Sequence, residues 1–172
     1  MTATRDTSGV PHRQLMNSSW QTGIGFGLTS GVITTVGLMV GLHAGTHSRI
    51  AVLGGILTVA IADALSDALG IHLVEESRAA RTRHVWEATL STFLAKFVTA
   101  GTFAVPVLLF ELRTSIIVSI VWGLAILTSL TFMVARKQGL APWRAIGEHV
   151  LVAVSVVTIS YYVGLWAKDL IE

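Results

Sequence analysis

The chain has 172 residues, of which 52% are hydrophobic and 13% charged, with a mean hydropathy of +0.69. A soluble domain carries about 25% charged residues, so the composition predicts an all-α integral membrane protein with room for one bundle and no separate soluble domain. The absence of cysteine excludes disulfides, thiolate metal sites and thiol nucleophiles. A formal charge of +2 does not suggest nucleic acid as a partner, because the basic residues sit beside apolar runs where membrane orientation explains them.

Residues 1–19 are polar, with Gly, Pro, Ser, Thr and two arginines, and are expected to form a disordered tail. No short apolar segment with a small-residue cleavage site precedes the first long run, so no cleaved signal peptide is expected. The remainder, 20–172, reads as a transmembrane domain of five spans, at about 23–44, 50–72, 89–110, 115–135 and 147–167. Each reaches the roughly 20 apolar residues that a hydrocarbon core of about 30 Å requires.

The first span carries Gly23, Gly27 and Gly31, then Gly37, Gly41 and Gly45, at four-residue spacing. That spacing lets helix backbones approach closely and predicts a helix seam, between two subunits in one reading. The alternative is the general abundance of glycine in membrane helices.

The second span, IAVLGGILTVAIADALSDALGIHLVEE, is the most informative stretch. Asp63 and Asp67 are one turn apart, on one face of a helix. A carboxylate at that depth costs about 2.5 kcal/mol or more unless it faces protein, water or a cation. This helix is expected to continue through Glu75, Glu76, Arg78, Arg81 and Arg83, since no Gly or Pro stops it. The third span contains Lys96 and Pro106. Glu111 and Arg113 mark a turn, and Arg136 to Arg144 form a Gly- and Pro-containing loop.

The N-terminal segment, the connection after the second span and the connection after the fourth hold eight basic residues, Arg5, Arg13, Arg78, Arg81, Arg83, Arg136, Lys137 and Arg144. The opposite side has Arg49, Arg113 and Lys168. The positive-inside rule then places the N-terminus in the cytoplasm and the C-terminus outside, with the plasma membrane as the expected location of this multi-pass chain.

Depth along the antiparallel spans groups the polar residues. Ser30, Asp67 and Lys96 all fall roughly 10–14 Å from the cytoplasmic end at about 1.5 Å per residue. Thr29, Ser30, Asp67 and Lys96 are therefore expected to form one polar layer, with Asp63 a turn further out. One lysine does not neutralise two carboxylates, so a divalent cation or a proton is needed to complete the charge. The competing readings are a buried ion pair that only fixes packing and a Lys96 side chain that snorkels to the interface. His72, Glu75, Glu76, Glu148 and His149 suggest a cytoplasmic vestibule for cations, and are equally explained as interfacial polar residues. His43 and His47 read as loop residues. No zinc-protease pair, nucleophile elbow or phosphate loop is present, so no enzymatic activity is expected.

GLTSGVITTVGLMVGLHAG (Gly27 to Gly45) and IADALSDALGIHL (Ile61 to Leu73) resemble the first two helices of the vacuolar iron transporter family. Those helices typically read G-L-N-D-G-[LIV]-[LIV]-T-T and A-D-G-F-S-M-A-L-G-[DE]-Y-L. Pro106 and the ISYYVG of the fifth span also fit the family. The resemblance implies a homodimer, through the first span, that exports iron(II) or manganese(II) in exchange for protons, with the ion as substrate and no other cofactor.

Carried over by position, the family's first-helix asparagine and aspartate fall on Thr29 and Ser30. Its Ala-Asp pair falls on Ala62 and Asp63, its methionine on Asp67, and its later acid on Ile71. The ion ligands implied for this chain are Asp63 and Asp67, and an oxygen-only set favours Mg, Ca or Mn over softer ions. The family's glutamate-rich helices between the second and third spans are absent. Two other functions compete: a non-transporting scaffold or partner subunit in which Lys96 replaces the ion, and a proton or monovalent-cation pathway through the same carboxylates.

Overall fold

The computed structural model describes residues 12–78 and 80–171. Among them the chain is helical with no strand, and five helices are long and apolar enough to cross a membrane. The first helix is His12–Thr46, followed by Arg49–Ser77, Thr82–Leu109, Leu112–Lys137 and Pro142–Asp169. The first begins within the segment expected to be a disordered tail; residues 1–11 of that segment lie outside the described residues.

The first helix is the axis of the bundle. Its apolar window is 50% buried, against 22% for the second helix and 11% for the fifth. The third helix packs against its first half and the fifth against its second half, and the second and fourth also touch it. The core between them is built from Val32, Val36, Met39 and Val40 of the first helix, with Ile56, Phe103, Val107 and Leu127 from its neighbours.

Glycine sets these contacts. A Cβ on Gly27 would sit 2.6 Å from the Thr92 carbonyl oxygen, and one on Gly23 would sit 2.5 Å from that of Ala88, so this series seats the third helix. A Cβ on Gly37 would meet Val156 at 2.7 Å, and one on Gly164 would lie 2.2 Å from the Gly41 carbonyl oxygen, so the second series seats the fifth helix. Both glycine series thus meet helices of the same chain, and Gly37, Gly41 and Gly45 also line an open groove.

The second helix carries a π-bulge at Val59–Asp63, an extra residue of the kind that often re-aims side chains at functional sites. It then ends at Ser77 instead of running on through Arg83. Arg81 is extended (φ −63°, ψ 139°), which turns the chain so that the third helix packs back antiparallel against the second. The third helix is interrupted at Phe103. Pro106 has no N–H to bond the Thr102 carbonyl and crowds it sterically. At the same end of the bundle, Arg49 Nη2 donates to the exposed Phe110 carbonyl at 2.6 Å.

Candidate functional site

Lys96 is the largest fully buried side chain among the described residues. Gly27 and Gly31 explain how it reaches across the bundle. With no Cβ at either position, the third helix lies close against the first, and the Lys96 stem passes Gly31, where a Cβ would stand 3.4 Å from its Cγ. The ammonium emerges facing the second helix. Its Nζ lies 2.5 Å from Asp63 Oδ2 and 2.5 Å from Asp67 Oδ2. It also donates to Ser30 Oγ at 2.9 Å, and the Ser30 hydroxyl donates to Asp67 Oδ2 at 2.6 Å.

The two aspartates share one cation because they are four residues apart on one helical face. Three helices therefore converge on one charge cluster of two carboxylates and one ammonium. The cluster is asymmetric: the Lys96 side chain is fully enclosed, Asp67 is 20% exposed and Asp63 36% exposed. Asp63 opens onto a groove of about 820 Å³ that runs along the first helix between the second and fifth. The groove is otherwise nearly apolar, with Thr34 and Ser160 as its other central polar side chains. Thr34 lies one turn from Ser30 and donates to the Ser30 carbonyl at 2.8 Å. That i, i+4 relation was a readable signal for a groove residue that the depth argument left out.

Several expected members lie elsewhere. Thr29 points away from the cluster, because successive residues on a helix diverge by about 100°. Its hydroxyl donates to the Gly25 carbonyl at 2.9 Å, and it lines a separate cavity of about 250 Å³ with Thr131, Gln138 and His149. His72 Nδ1 is 3.0 Å from Thr89 Oγ1, and its ring meets Trp86 edge-on. Glu75 pairs with Arg78 at 3.0 Å, and Glu76 is exposed. Glu148 pairs with Arg144 at 3.3 Å on the fifth helix, which packs against the first and fourth helices. Among the described residues, no hydrogen bond or ion pair joins Glu148 to His72, Glu75 or Glu76.

His43 lies in the first helix, half-buried, and not in a loop. Glu87 belongs to the third helix and takes Arg83 at 2.8 Å and the buried His84 at 3.5 Å. Among the described residues, no three His, Cys, Asp or Glu side chains gather in the manner of metal ligands. At Asp63 and Asp67 the arrangement offers two carboxylates and the Ser30 hydroxyl, with a tethered cation already between them.

Comparisons with protein-family models, with curated proteins and with solved structures return no match for this chain.

Proposed function

We propose that this chain is a proton-coupled cation transporter whose exchange centre is Asp63, Asp67 and Lys96. The observation that carries this reading is the enclosed ammonium shared by two carboxylates, one of them open to a groove. With both aspartates ionised and Lys96 charged, the cluster has a net charge of −1, and a low-dielectric site favours neutrality. A proton on Asp63 provides neutrality in one state. A divalent ion provides it in another, held by both carboxylates and the Ser30 hydroxyl, if Lys96 gives up its proton and withdraws. Two protons then leave for each divalent ion bound, and the exchange is electroneutral. A monovalent cation needs only the Asp63 proton, leaving Lys96 in place, at one proton per ion.

In this reading the substrate is a divalent ion of the iron(II) or manganese(II) type, exported from the cytoplasm across the plasma membrane, with the N-terminus inside. The likeness of the first two helices to vacuolar iron transporters supports the direction and the substrate class, and all-oxygen ligands favour manganese over softer ions. Two copies associate along the first and second helices, whose shared groove the fifth helix leaves open.

The test is flux of iron(II), manganese(II), cobalt(II) and magnesium into proteoliposomes with a pH dye inside, comparing wild type with Asp63→Asn. Two protons per divalent ion, and no flux in the variant, are expected. A ratio of one with sodium or potassium as substrate selects the monovalent pathway. Absence of flux for every ion, from folded protein, rejects transport.

A second reading has its own observation. Lys96 already occupies the place of an ion, which suits a scaffold or partner subunit that does not transport. It predicts that Lys96→Met creates divalent binding in the absence of any flux by the wild type.

A further inference from the structure

At the end of the bundle where the first helix terminates, a second groove lies on the face between the fourth and fifth helices. Its mouth, about 380 Å³, is lined by His43, Arg113, Tyr161 and Tyr162, and its floor by Ile116, Ile120 and Val157. Ile120 and Val157 also line a narrower crevice of about 80 Å³ that continues inward past Val36, Gly123 and Ala153 to Leu124. The two spaces adjoin at Ile120 and Val157, the outer one polar and basic at its mouth and the inner one apolar. From Arg113 to Leu124 is roughly 16 Å of helix at about 1.5 Å per residue, close to half of the hydrocarbon core of about 30 Å. That is the depth of one leaflet.

The polar groups at the mouth are matched to an anion. Among the described residues Arg113 enters no ion pair, and His43 Nδ1 is buried with no hydrogen-bond partner. No acidic residue lines either space. Isolated interfacial Tyr and Arg side chains are common in membrane helices, but here they converge on the opening of a leaflet-deep apolar crevice. We propose that this groove binds one anionic glycerophospholipid from the leaflet on that side, its phosphate held by Arg113, His43 and the Tyr161 and Tyr162 hydroxyls, with one acyl chain lying along Ile120 and Val157. The residues at its mouth do not line the groove at Asp63, so the proposal stands independently of the transport reading.

Native mass spectrometry of the full chain, offered equal amounts of phosphatidylglycerol and phosphatidylcholine, tests this. One phosphatidylglycerol is retained per chain in preference to phosphatidylcholine. Arg113→Gln lowers that preference about fivefold, equivalent to about 1 kcal/mol for one basic residue at a lipid surface, and Arg113→Lys restores most of it. Equal retention of the two lipids, or an unchanged preference in folded Arg113→Gln, overturns the proposal. A second measurement needs no variant: phosphatidylglycerol with a photoactivatable acyl chain labels wild-type peptides containing Ile120 and Val157. Labelling spread evenly over the outward faces of the helices overturns it as well.

Discussion

Gly31 is the floor over which Lys96 crosses from the third helix to the second; a Cβ at Gly31 would stand 3.4 Å from Lys96 Cγ and 3.3 Å from Thr99 Cβ. A residue without a side chain thus determines where the one fully enclosed lysine places its charge. The charge cluster and the close packing of the first and third helices are one structure.

Gly27→Ala puts a methyl group 2.6 Å from the Thr92 carbonyl oxygen and 3.1 Å from the Lys96 backbone nitrogen. The third helix must shift, at a cost of about 1–3 kcal/mol, typical of overpacking, and Lys96 shifts with it. Gly164→Ala, whose Cβ would lie 2.2 Å from the Gly41 carbonyl oxygen, costs a similar amount and moves the fifth helix, one wall of the groove at Asp63, without displacing Lys96. Thermal unfolding in detergent should fall in both variants, and cation flux at a temperature where both are folded should fall in both, further in Gly27→Ala because Lys96 is displaced as well.

Lys96→Met leaves Asp63 and Asp67 without their shared cation. Removing one partner from a buried ion pair typically costs about 3–5 kcal/mol, while replacing every partner together is often close to neutral. The single variant should therefore unfold at a lower temperature than the triple variant Lys96→Met, Asp63→Asn, Asp67→Asn. Equal melting temperatures would show that Lys96 contributes nothing to holding the carboxylates.

Asp67→Asn and Asp63→Asn differ in stability and agree in function. Asp67 accepts from Lys96 and from Ser30, and hydrogen bonds involving a charged group contribute about 1.5–3 kcal/mol. Asp63 is more exposed and faces the groove, so its loss costs less. Both variants should abolish flux, with Asp67→Asn also lowering the melting temperature more. Wild-type flux in Asp67→Asn would remove that residue from the mechanism.

Ser30→Ala removes a hydroxyl that bridges Lys96 and Asp67, whereas Thr29→Val changes a side chain that bonds its own helix and faces another cavity. Flux should fall several-fold in Ser30→Ala and remain within about a factor of two of wild type in Thr29→Val. The reverse order would place the pathway in the cavity beside Thr131 and His149.

Much of this arrangement was legible from the amino-acid order. Five long apolar runs set five helices long and apolar enough to cross a membrane, the form in which a backbone satisfies its polar groups internally. The four-residue interval between Asp63 and Asp67 put both carboxylates on one face, and counting residues along antiparallel helices set Ser30, Asp67 and Lys96 at one depth. Depth is one coordinate of three. Whether Thr29 or Ser30 faces the lysine depends on the rotation of the first helix, which is set by the third helix against Gly23 and Gly27 and the fifth against Gly41. Glycine spacing announced close approach, but a Gly row carries no record of which helix lies against it. The end of the second helix at Ser77 was equally hidden, since the chain turns there to pack the third helix and not because a breaker residue stands in the sequence. Composition and periodicity determined the elements and their depths by themselves. Only tertiary packing decided which faces meet, because helix rotation and partner choice arise from contacts between residues far apart in the chain.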